Sequence, residues 1–288
     1  MNKDKLSVAT GFMPALALGI LLGFQYAAEH GYIQVDLTLY GLTAAAAFFF
    51  PFILLLVLGR GSAGMPRRFG GVRPRWFPFI LTMSAALSLL SFLINWLAAR
   101  LFSVEYTVQS ALPAGEYPLW QLLLVSVVLP AVFEELFFRG ALLPALEGGS
   151  FYSALIVSAF AFALVHGDLM NMGGPFAAGL VYGYMTYITG SVWAAVAAHC
   201  INNGMTFLIA GLLEKYAAVG LWEYFLIVVL LLFFLLLYFA MGSLERLVEK
   251  GRVPRIRHVG LAKGMAATFF SPGIWVLVCL YLFKALYL

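Results

Sequence analysis

One long apolar stretch decides the fold: Pro118-Leu-Trp-Gln-Leu-Leu-Leu-Val-Ser-Val-Val-Leu-Pro-Ala-Val-Phe-Glu-Glu-Leu-Phe-Phe-Arg-Gly-Ala-Leu-Leu-Pro-Ala-Leu-Glu147. It is long enough to cross a bilayer as a helix, yet it contains Glu134, Glu135 and Arg139. Each such charge costs roughly 2.5–3.5 kcal/mol near the bilayer centre, so the three together cost on the order of 8–10 kcal/mol. A membrane helix rarely carries that cost unless a polar interior receives the charges. The stretch therefore predicts an active site inside the membrane.

The composition is that of a polytopic membrane protein. Of the 288 residues, 63% are hydrophobic and only 10% are charged, whereas soluble domains have about 25% charged residues. We expect one transmembrane domain over residues 1–288 with the lipid bilayer as its surroundings. The net charge of +4 is small and the basic residues lie in connecting segments, so no nucleic acid partner is expected. Cys200 and Cys279 both lie inside apolar runs, which supports neither a disulfide framework nor a thiolate metal site.

Nine hydrophobic segments follow one another along the chain. They lie at about 11–28, 37–58, 77–101, 118–146, 151–167, 174–189, 191–212, 222–242 and 268–287. The segments 151–167 and 174–189 are near or below the ~20 residues that a membrane span needs, so eight or nine spans are expected. Lipid leaves no backbone group unpaired, and the runs are too long for the alternating strands of a barrel. The sequence predicts an all-α, polytopic transmembrane bundle of eight to nine helices with an intramembrane active-site cavity.

Charges in the connecting segments predict the orientation of the bundle. Two segments are rich in basic residues: 59–76 with Arg60, Arg67, Arg68, Arg73 and Arg75, and 243–267 with Arg246, Lys250, Arg252, Arg255, Arg257 and Lys263. The connections 29–36 and 102–117 contain neither Lys nor Arg. Because basic loops stay in the cytoplasm, we expect both basic segments and the N-terminus on the cytoplasmic side.

Few strongly polar residues remain at membrane depth. Glu135 and Arg139 are four residues apart, so an ion pair within the helix is expected. Glu134 lies about 140° from Arg139 around the helix and can face a cavity instead. Asn95 and Asn202 are more simply explained as contacts between helices.

Three further polar residues lie on two later helices. His199 and Asn203 are four residues apart and share a helix face, and His166 ends an apolar run. A rise of 1.5 Å per residue puts these three and Glu134 roughly 12–22 Å from the cytoplasmic ends of their helices. They are predicted to meet in a cavity that opens toward the cytoplasm.

These residue types suffice for hydrolysis of an amide bond. A carboxylate shielded from bulk water can act as a general base. A neighbouring histidine can help to deprotonate a water molecule or hold a metal. A second histidine and an amide can donate hydrogen bonds to a developing oxyanion. No serine or cysteine nucleophile is needed.

Three motifs in order resemble a known family. They are Glu134-Glu135-Leu-Phe-Phe-Arg139 (EExxxR), Phe162-Ala-Leu-Val-His166 (FxxxH) and His199-Cys-Ile-Asn-Asn203 (HxxxN). On successive hydrophobic helices they resemble the CPBP intramembrane proteases, which include type II CAAX prenyl endopeptidases and bacterial Abi or bacteriocin-processing relatives. The motifs occupy residues 134–203, and the other helices lie outside the resemblance.

The resemblance implies a role for each motif residue. Glu134 and His166 would activate the water, His199 and Asn203 would stabilise the oxyanion, and Glu135 and Arg139 would support the site; these six are Glu134, His166, His199, Asn203, Glu135 and Arg139. The substrate would be a hydrophobic or lipidated peptide, for instance one with a prenylated CAAX-type C-terminus.

The resemblance leaves the cofactor open. The family is called a metalloprotease family, and Glu134, His166 and His199 could ligate zinc together with Asn203 or water. A glutamate mechanism without metal is equally allowed.

Two other classes of function fit part of the pattern. A proton-coupled transporter would also keep Glu, Arg and His in the membrane, but such proteins often contain paired repeats and this sequence has none. A catalytically inactive family member acting as a membrane scaffold is the second alternative, and the intact motifs argue against it.

Overall fold

The computed structural model describes residues 3–59, 68–102, 117–147, 150–166, 172–218, 220–254 and 271–287. Over these ranges the chain forms nine helices and one isolated antiparallel bridge, between Phe69 and Ser191. The helices are α1 Lys3–Glu29, α2 Leu37–Leu58, α3 Phe77–Leu101, α4 Leu119–Leu146, α5 Phe151–His166, α6 Gly173–Thr189, α7 Val192–Ala218, α8 Trp222–Glu249 and α9 Pro272–Tyr287. Each coincides with a predicted hydrophobic segment, so the all-α bundle is confirmed.

The helices differ in length. Six of them, within the part of the chain that the structure describes, are long and apolar enough to cross a membrane. The described parts of α5, α6 and α9 have 16, 17 and 16 residues, or roughly 24–26 Å of rise, which is less than the ~30 Å hydrocarbon core. The two short helices in the middle of the chain, α5 and α6, pack against each other and carry part of the candidate site.

Large apolar side chains cover the outer surface. On α8 the exposed fractions of Leu231, Phe234 and Tyr238 are 65%, 57% and 74%. Soluble monomers rarely expose contiguous apolar patches of this kind, whereas lipid accommodates them. Together with the long apolar helices, this surface makes the chain an integral membrane protein.

Close contact between α5 and α6 depends on two glycines. A β-carbon added to Gly179 would lie 2.7 Å from the Cα of Ala159, and one added to Gly183 would collide with Leu155. The small-xxx-small pair at these positions therefore allows the two backbones to approach, as the spacing predicts.

The connection after α2 meets the end of α4 and the turn between α6 and α7. The Arg68 guanidinium forms a bidentate ion pair with the Glu147 carboxylate, with Nη2 and Oε2 separated by 2.8 Å. The backbone N–H of Val192 donates to the carbonyl of Arg68 at 2.7 Å. These contacts place the ends of α2, α4 and α6 and the start of α7 at one end of the bundle.

The start of α3 comes directly after this connection in the chain and lies at the same end. The end of α8 lies there as well. They enclose a cavity of about 310 Å³ lined by Arg75, Arg246, Lys250 and Arg252. We call this the basic end, defined by Arg68, Arg73, Arg75, Arg246, Lys250 and Arg252. The other basic residues of the two predicted cytoplasmic segments, Arg60, Arg67, Arg255, Arg257 and Lys263, lie outside the described ranges.

The opposite end gathers the last turns of α3 and the starts of α6 and α8. The backbone N–H of Gly174 donates to Asn95 Oδ1 at 3.3 Å, and the rings of Trp96 and Trp222 lie 5.6 Å apart. The start of α2 also lies here, where the Asp36 side chain accepts a hydrogen bond from the backbone N–H of Leu39 at 2.7 Å and caps the helix.

Candidate active site

The helix that carries the first motif is not a uniform α-helix. Leu124–Val128 and Leu136–Leu142 form π turns on either side of the α-helical segment Leu129–Glu135. Glu134 and Glu135 therefore end a short α-helical segment between two wider turns. Such π turns often occur at functional sites because they change where side chains point.

Two prolines account for the position of these turns. Proline has no backbone N–H, so the carbonyl four residues earlier loses its helical partner. For Pro130 that carbonyl belongs to Ser126, and for Pro144 it belongs to Gly140, and each of these residues lies inside a π turn. The sequence thus contains a local cause for both irregularities.

Glu135 connects three helices through hydrogen bonds. Its Oε1 lies 2.9 Å from Arg139 Nη1 and 2.9 Å from His199 Nδ1. Arg139 Nη2 in turn donates to the carbonyl of Gly179 at 3.1 Å. Glu135 and Arg139 are completely buried. The predicted ion pair is confirmed, and it also fixes the orientation of the His199 ring.

Phe162 lies between the charged groups and both histidines. The Arg139 guanidinium carbon lies 4.4 Å from the centre of the Phe162 ring, a distance typical of a cation–π contact. The Phe162 ring also contacts His166 and His199, with ring centres 4.5 Å and 5.8 Å away. The aromatic residue of the FxxxH motif therefore packs against Arg139, His166 and His199.

Glu134 and His166 face each other without a direct hydrogen bond. Glu134 Oε2 and His166 Nε2 are 3.8 Å apart, which is too long for one. His166 Nδ1 lies 2.8 Å from the carbonyl of Phe162, so Nδ1 carries a proton and, in the neutral ring, Nε2 is an acceptor. Glu134 Oε2 is buried and has no hydrogen-bond partner within the described ranges. One water molecule could donate to both acceptors.

The other predicted residues line a cavity of about 180 Å³ beside this pair. Its wall includes His166, His199 and Asn203, with Asn95, Asn202 and Thr206 among its other polar residues. Glu134 does not form part of the wall but adjoins it through His166. Glu135 and Arg139 are buried behind His199 and do not reach the cavity. The structure therefore brings together Glu134 with His166, and His166 with His199 and Asn203.

The cavity lies toward the opposite end of the bundle. His166 is the last residue of α5, and Gly174, also in the wall, is the second residue of α6. His199, at the inner limit of the wall, is roughly 10 Å of helical rise from the start of α7 at the basic end. From the sequence we expect the basic segments in the cytoplasm and a cavity that opens toward the cytoplasm. In the structure the basic segments and the cavity lie toward different ends of the bundle, so the two expectations do not fit together.

The geometry does not fit a zinc site with three protein ligands. Across the residues that the structure describes, no group of three His, Cys, Asp or Glu side chains is placed to hold one metal ion. A structural or catalytic zinc would need three or four such ligands around one point.

Tyr182 and Asn95 are cavity residues that lie outside the three motifs. The Tyr182 ring stacks on the His199 ring, with centres 5.2 Å apart and planes 25° apart. Nothing in the sequence around Tyr182 distinguishes it from the other tyrosines at helical positions. Asn95, expected only as a contact between helices, both binds α6 and lines the cavity. Its polarity within an apolar run was the available signal.

Comparison with known proteins agrees with the motifs. Residues 116–205 match the sequence model described as "Type II CAAX prenyl endopeptidase Rce1-like". A relative from Bacillus subtilis (strain 168), named "Putative membrane peptidase YdiL", is 30% identical over 94 residues, which are 32% of this chain and 38% of that protein. No solved structure matches the chain. Over the segment that carries all three motifs, the chain is therefore similar to the Rce1-like type II CAAX prenyl endopeptidases, in agreement with the resemblance of the motifs.

Proposed function

We propose that this protein is an intramembrane endopeptidase that hydrolyses a peptide bond of a membrane-associated peptide with a water activated by Glu134 and His166. The observation that carries the proposal is the pair of facing acceptors, Glu134 Oε2 and His166 Nε2, 3.8 Å apart at the edge of a cavity within the bundle. The relation of residues 116–205 to a peptidase family supports the same conclusion.

In the first step the water donates hydrogen bonds to Glu134 and His166. As its oxygen attacks the carbonyl carbon of the peptide, the leaving proton moves to the Glu134 carboxylate. A positioned general base of this kind typically accelerates such a step by about 10²–10⁴-fold. His166 is held for this task because its Nδ1–H is bound to the Phe162 carbonyl, which directs Nε2 at Glu134.

In the second step the tetrahedral intermediate collapses. The Asn203 amide, and Nε2–H of His199 when both ring nitrogens carry protons, would donate to the oxyanion. Glu135 holds Nδ1 of His199 and leaves Nε2 for the cavity. The carbon–nitrogen bond then breaks, and the departing amine takes the proton from the Glu134 carboxylic acid. Glu135 and Arg139 act as positioning residues.

The surroundings of the cavity suit a hydrophobic or lipidated peptide. A peptide bond that reaches Glu134 must enter a bundle whose outer faces are apolar. The matching sequence model is described as a type II CAAX prenyl endopeptidase, and a prenylated peptide is therefore one of the two substrate classes that we propose to test.

The test is cleavage by purified protein in lipid nanodiscs. The substrates are synthetic hydrophobic peptides with and without a C-terminal prenyl group, and the products are identified by mass spectrometry. Glu134→Gln and His166→Ala should each lower the rate by about 10²-fold or more, because the first removes the group that accepts the proton and the second removes a hydrogen-bond acceptor for the attacking water.

Glu249→Gln, which changes an exposed glutamate at the end of α8, is the matched control and should cleave at the wild-type rate. Equal cleavage by Glu134→Gln and the wild type would remove the mechanism. The same assay with a chelator tests for a metal. Activity that survives chelation supports hydrolysis by these side chains alone. Activity that is lost on chelation and restored only by added zinc contradicts it.

A further inference from the structure

We infer that the cavity opens to the non-cytoplasmic side of the membrane, so that its substrate is a hydrophobic peptide presented from that side. The identity of the ligand as a peptide rests on the proposed function, whereas the side of the opening rests on the arrangement of the bundle alone.

The first step is the position of the positive charges. The six Lys and Arg residues that define the basic end lie close together there, where Arg68 pairs with Glu147 and four others line one cavity. The helices at the opposite end carry three, which are Arg100, Lys215 and Lys284. Acidic residues there include Glu29, Asp36 and Glu223. Because Lys and Arg near the ends of spans stay in the cytoplasm, the basic end is the cytoplasmic one.

The second step is the depth of the cavity wall along each helix. On α7, His199 lies roughly 10 Å and Thr206 roughly 21 Å from the helix start at the basic end. On α3, Asn95 lies in the last two turns, and on α5, His166 is the last residue. The wall therefore runs from the middle of the bundle toward the opposite end and not toward the basic end.

The third step is the difference in exposure between the two limits of the wall. At the limit toward the opposite end, 35% of the His166 side chain is exposed and Thr206 is exposed. At the inner limit, Tyr182 is fully buried and His199 is nearly so, and Arg139 behind them is fully buried as well. The packed network of Glu135, Arg139 and Tyr182 closes the path between the cavity and the basic end.

This arrangement narrows the class of substrate. A peptide whose lipidated C-terminus lies on the cytoplasmic surface would meet the closed, basic end of the bundle. A hydrophobic peptide that has been exported, or the outer part of a membrane-spanning segment, would meet the exposed side of His166. The geometry thus points to the second class.

Labelling with a membrane-impermeant maleimide tests the inference. In a Cys200→Ala/Cys279→Ala background, one cysteine is introduced at a time as Thr206→Cys in the cavity wall, or as Glu223→Cys or Glu249→Cys at the two ends of α8. The two glutamates are exposed and acidic, so replacing either leaves the pattern of Lys and Arg unchanged. In intact cells the Thr206→Cys and Glu223→Cys variants should be labelled, and Glu249→Cys should be labelled only after permeabilisation.

The inference would be overturned if Thr206→Cys, like Glu249→Cys, were labelled only after permeabilisation. Failure to label Thr206→Cys under either condition would overturn it as well, because the cavity would then be closed at this limit. The labelling does not depend on cleavage. A protein that labels as expected but cleaves neither class of peptide would refute the proposed function and leave the orientation standing.

Discussion

A single buried arginine connects the three helices α4, α5 and α6 behind the site. Arg139 is completely buried and binds a carboxylate on its own helix, a carbonyl on α6 and the face of Phe162 on α5. Its Nε has no partner within the described ranges, and neither has Oε2 of Glu135. The pair is therefore only partly satisfied, and each partner depends on the other.

Removing the arginine alone should be costly. Arg139→Met removes the arginine cation from the buried Glu135 carboxylate, which keeps its hydrogen bond to His199, and we expect the free energy of unfolding to fall by about 3–5 kcal/mol. Thermal unfolding in detergent, followed by exposure of Cys200 and Cys279 to a thiol dye, measures this. Arg100→Met, at an exposed position in the last turn of α3, is the control and should change the stability little. A double variant, Glu135→Leu/Arg139→Met, should recover part of the loss while remaining inactive; a double variant no more stable than Arg139→Met would contradict the ion-pair explanation.

The residue spacing predicted the pairs within helices but not the pairs between them. Four-residue spacing was enough to foresee the contact of Glu135 with Arg139, because helix geometry fixes it. The contact of Glu135 with His199 joins positions 64 residues apart, and only the packing of α4 against α7 creates it. Tyr182 was missed for the same reason.

At the scale of helices, the contact between α5 and α6 brings the second motif to the first. Gly179 allows the contact through its missing side chain and also accepts a hydrogen bond from Arg139 through its carbonyl. A methyl group at this position would meet the backbone of Ala159 rather than a flexible side chain. The helices would have to separate.

Gly179→Ala should therefore destabilise the protein by about 1–3 kcal/mol, the usual cost of overpacking, and lower the cleavage rate because the Gly179 carbonyl moves away from Arg139. The matched control is Gly23→Ala on α1, where an added β-carbon has no heavy atom within 4 Å. Thermal unfolding and cleavage of the same peptide measure both effects. Equal unfolding temperatures for the two variants would show that the close approach is not required.

The extents of the helices followed from the apolar runs, whereas their internal geometry did not. A hydrophobic run ends where charged or turn-forming residues begin, and this makes span boundaries predictable. The π turns of α4 depend on how the backbone responds to Pro130 and Pro144 inside a packed bundle. A proline in a helix can equally produce a kink or a break, so the sequence alone did not distinguish these outcomes.

Across the bundle, one ion pair at the basic end joins the connection after α2 to the end of α4. Arg68 and Glu147 are 79 residues apart in sequence, and only 11% of each side chain is exposed. Because the pair is bidentate and largely shielded from water, it should be stronger than a typical surface ion pair.

We expect Arg68→Ala to lower the free energy of unfolding by about 1.5–3 kcal/mol, the range for hydrogen bonds to charged groups. The exchanged pair Arg68→Glu/Glu147→Arg should restore part of the stability that Arg68→Glu alone loses. A double-mutant cycle from thermal unfolding in detergent gives the coupling energy. A coupling energy near zero would mean that the backbone hydrogen bond from Val192, and not the ion pair, holds this end together.

The approach of the candidate residues to one cavity was predictable, but the direction in which the cavity opens was not. Counting residues along each helix put the four candidate residues roughly 12–22 Å from the basic end, close enough to meet, since an α-helix rises by about the same amount per residue. The same count cannot show which ends of the helices diverge. His166 is far from the basic end because it is the last residue of α5, and that places the exposed part of the cavity on the other side.

The two π turns of α4 also affect which one-residue deletions the helix can tolerate. Relative to an α-helix, a turn with i→i+5 bonding accommodates an additional residue. A one-residue deletion between Leu124 and Val128 would let the turn revert to ordinary α-helical bonding, so the two flanking parts of α4 would keep about the same faces toward their neighbours. A one-residue deletion in the α-helical segment Leu129–Glu135 would instead rotate one part of the helix against the other by about 100°. Val125, which packs beside Gly41 of α2, and the residues after the deletion could then no longer both keep their present neighbours. Within α4, a one-residue deletion should therefore be tolerated better in a π turn than in the segment between the two turns.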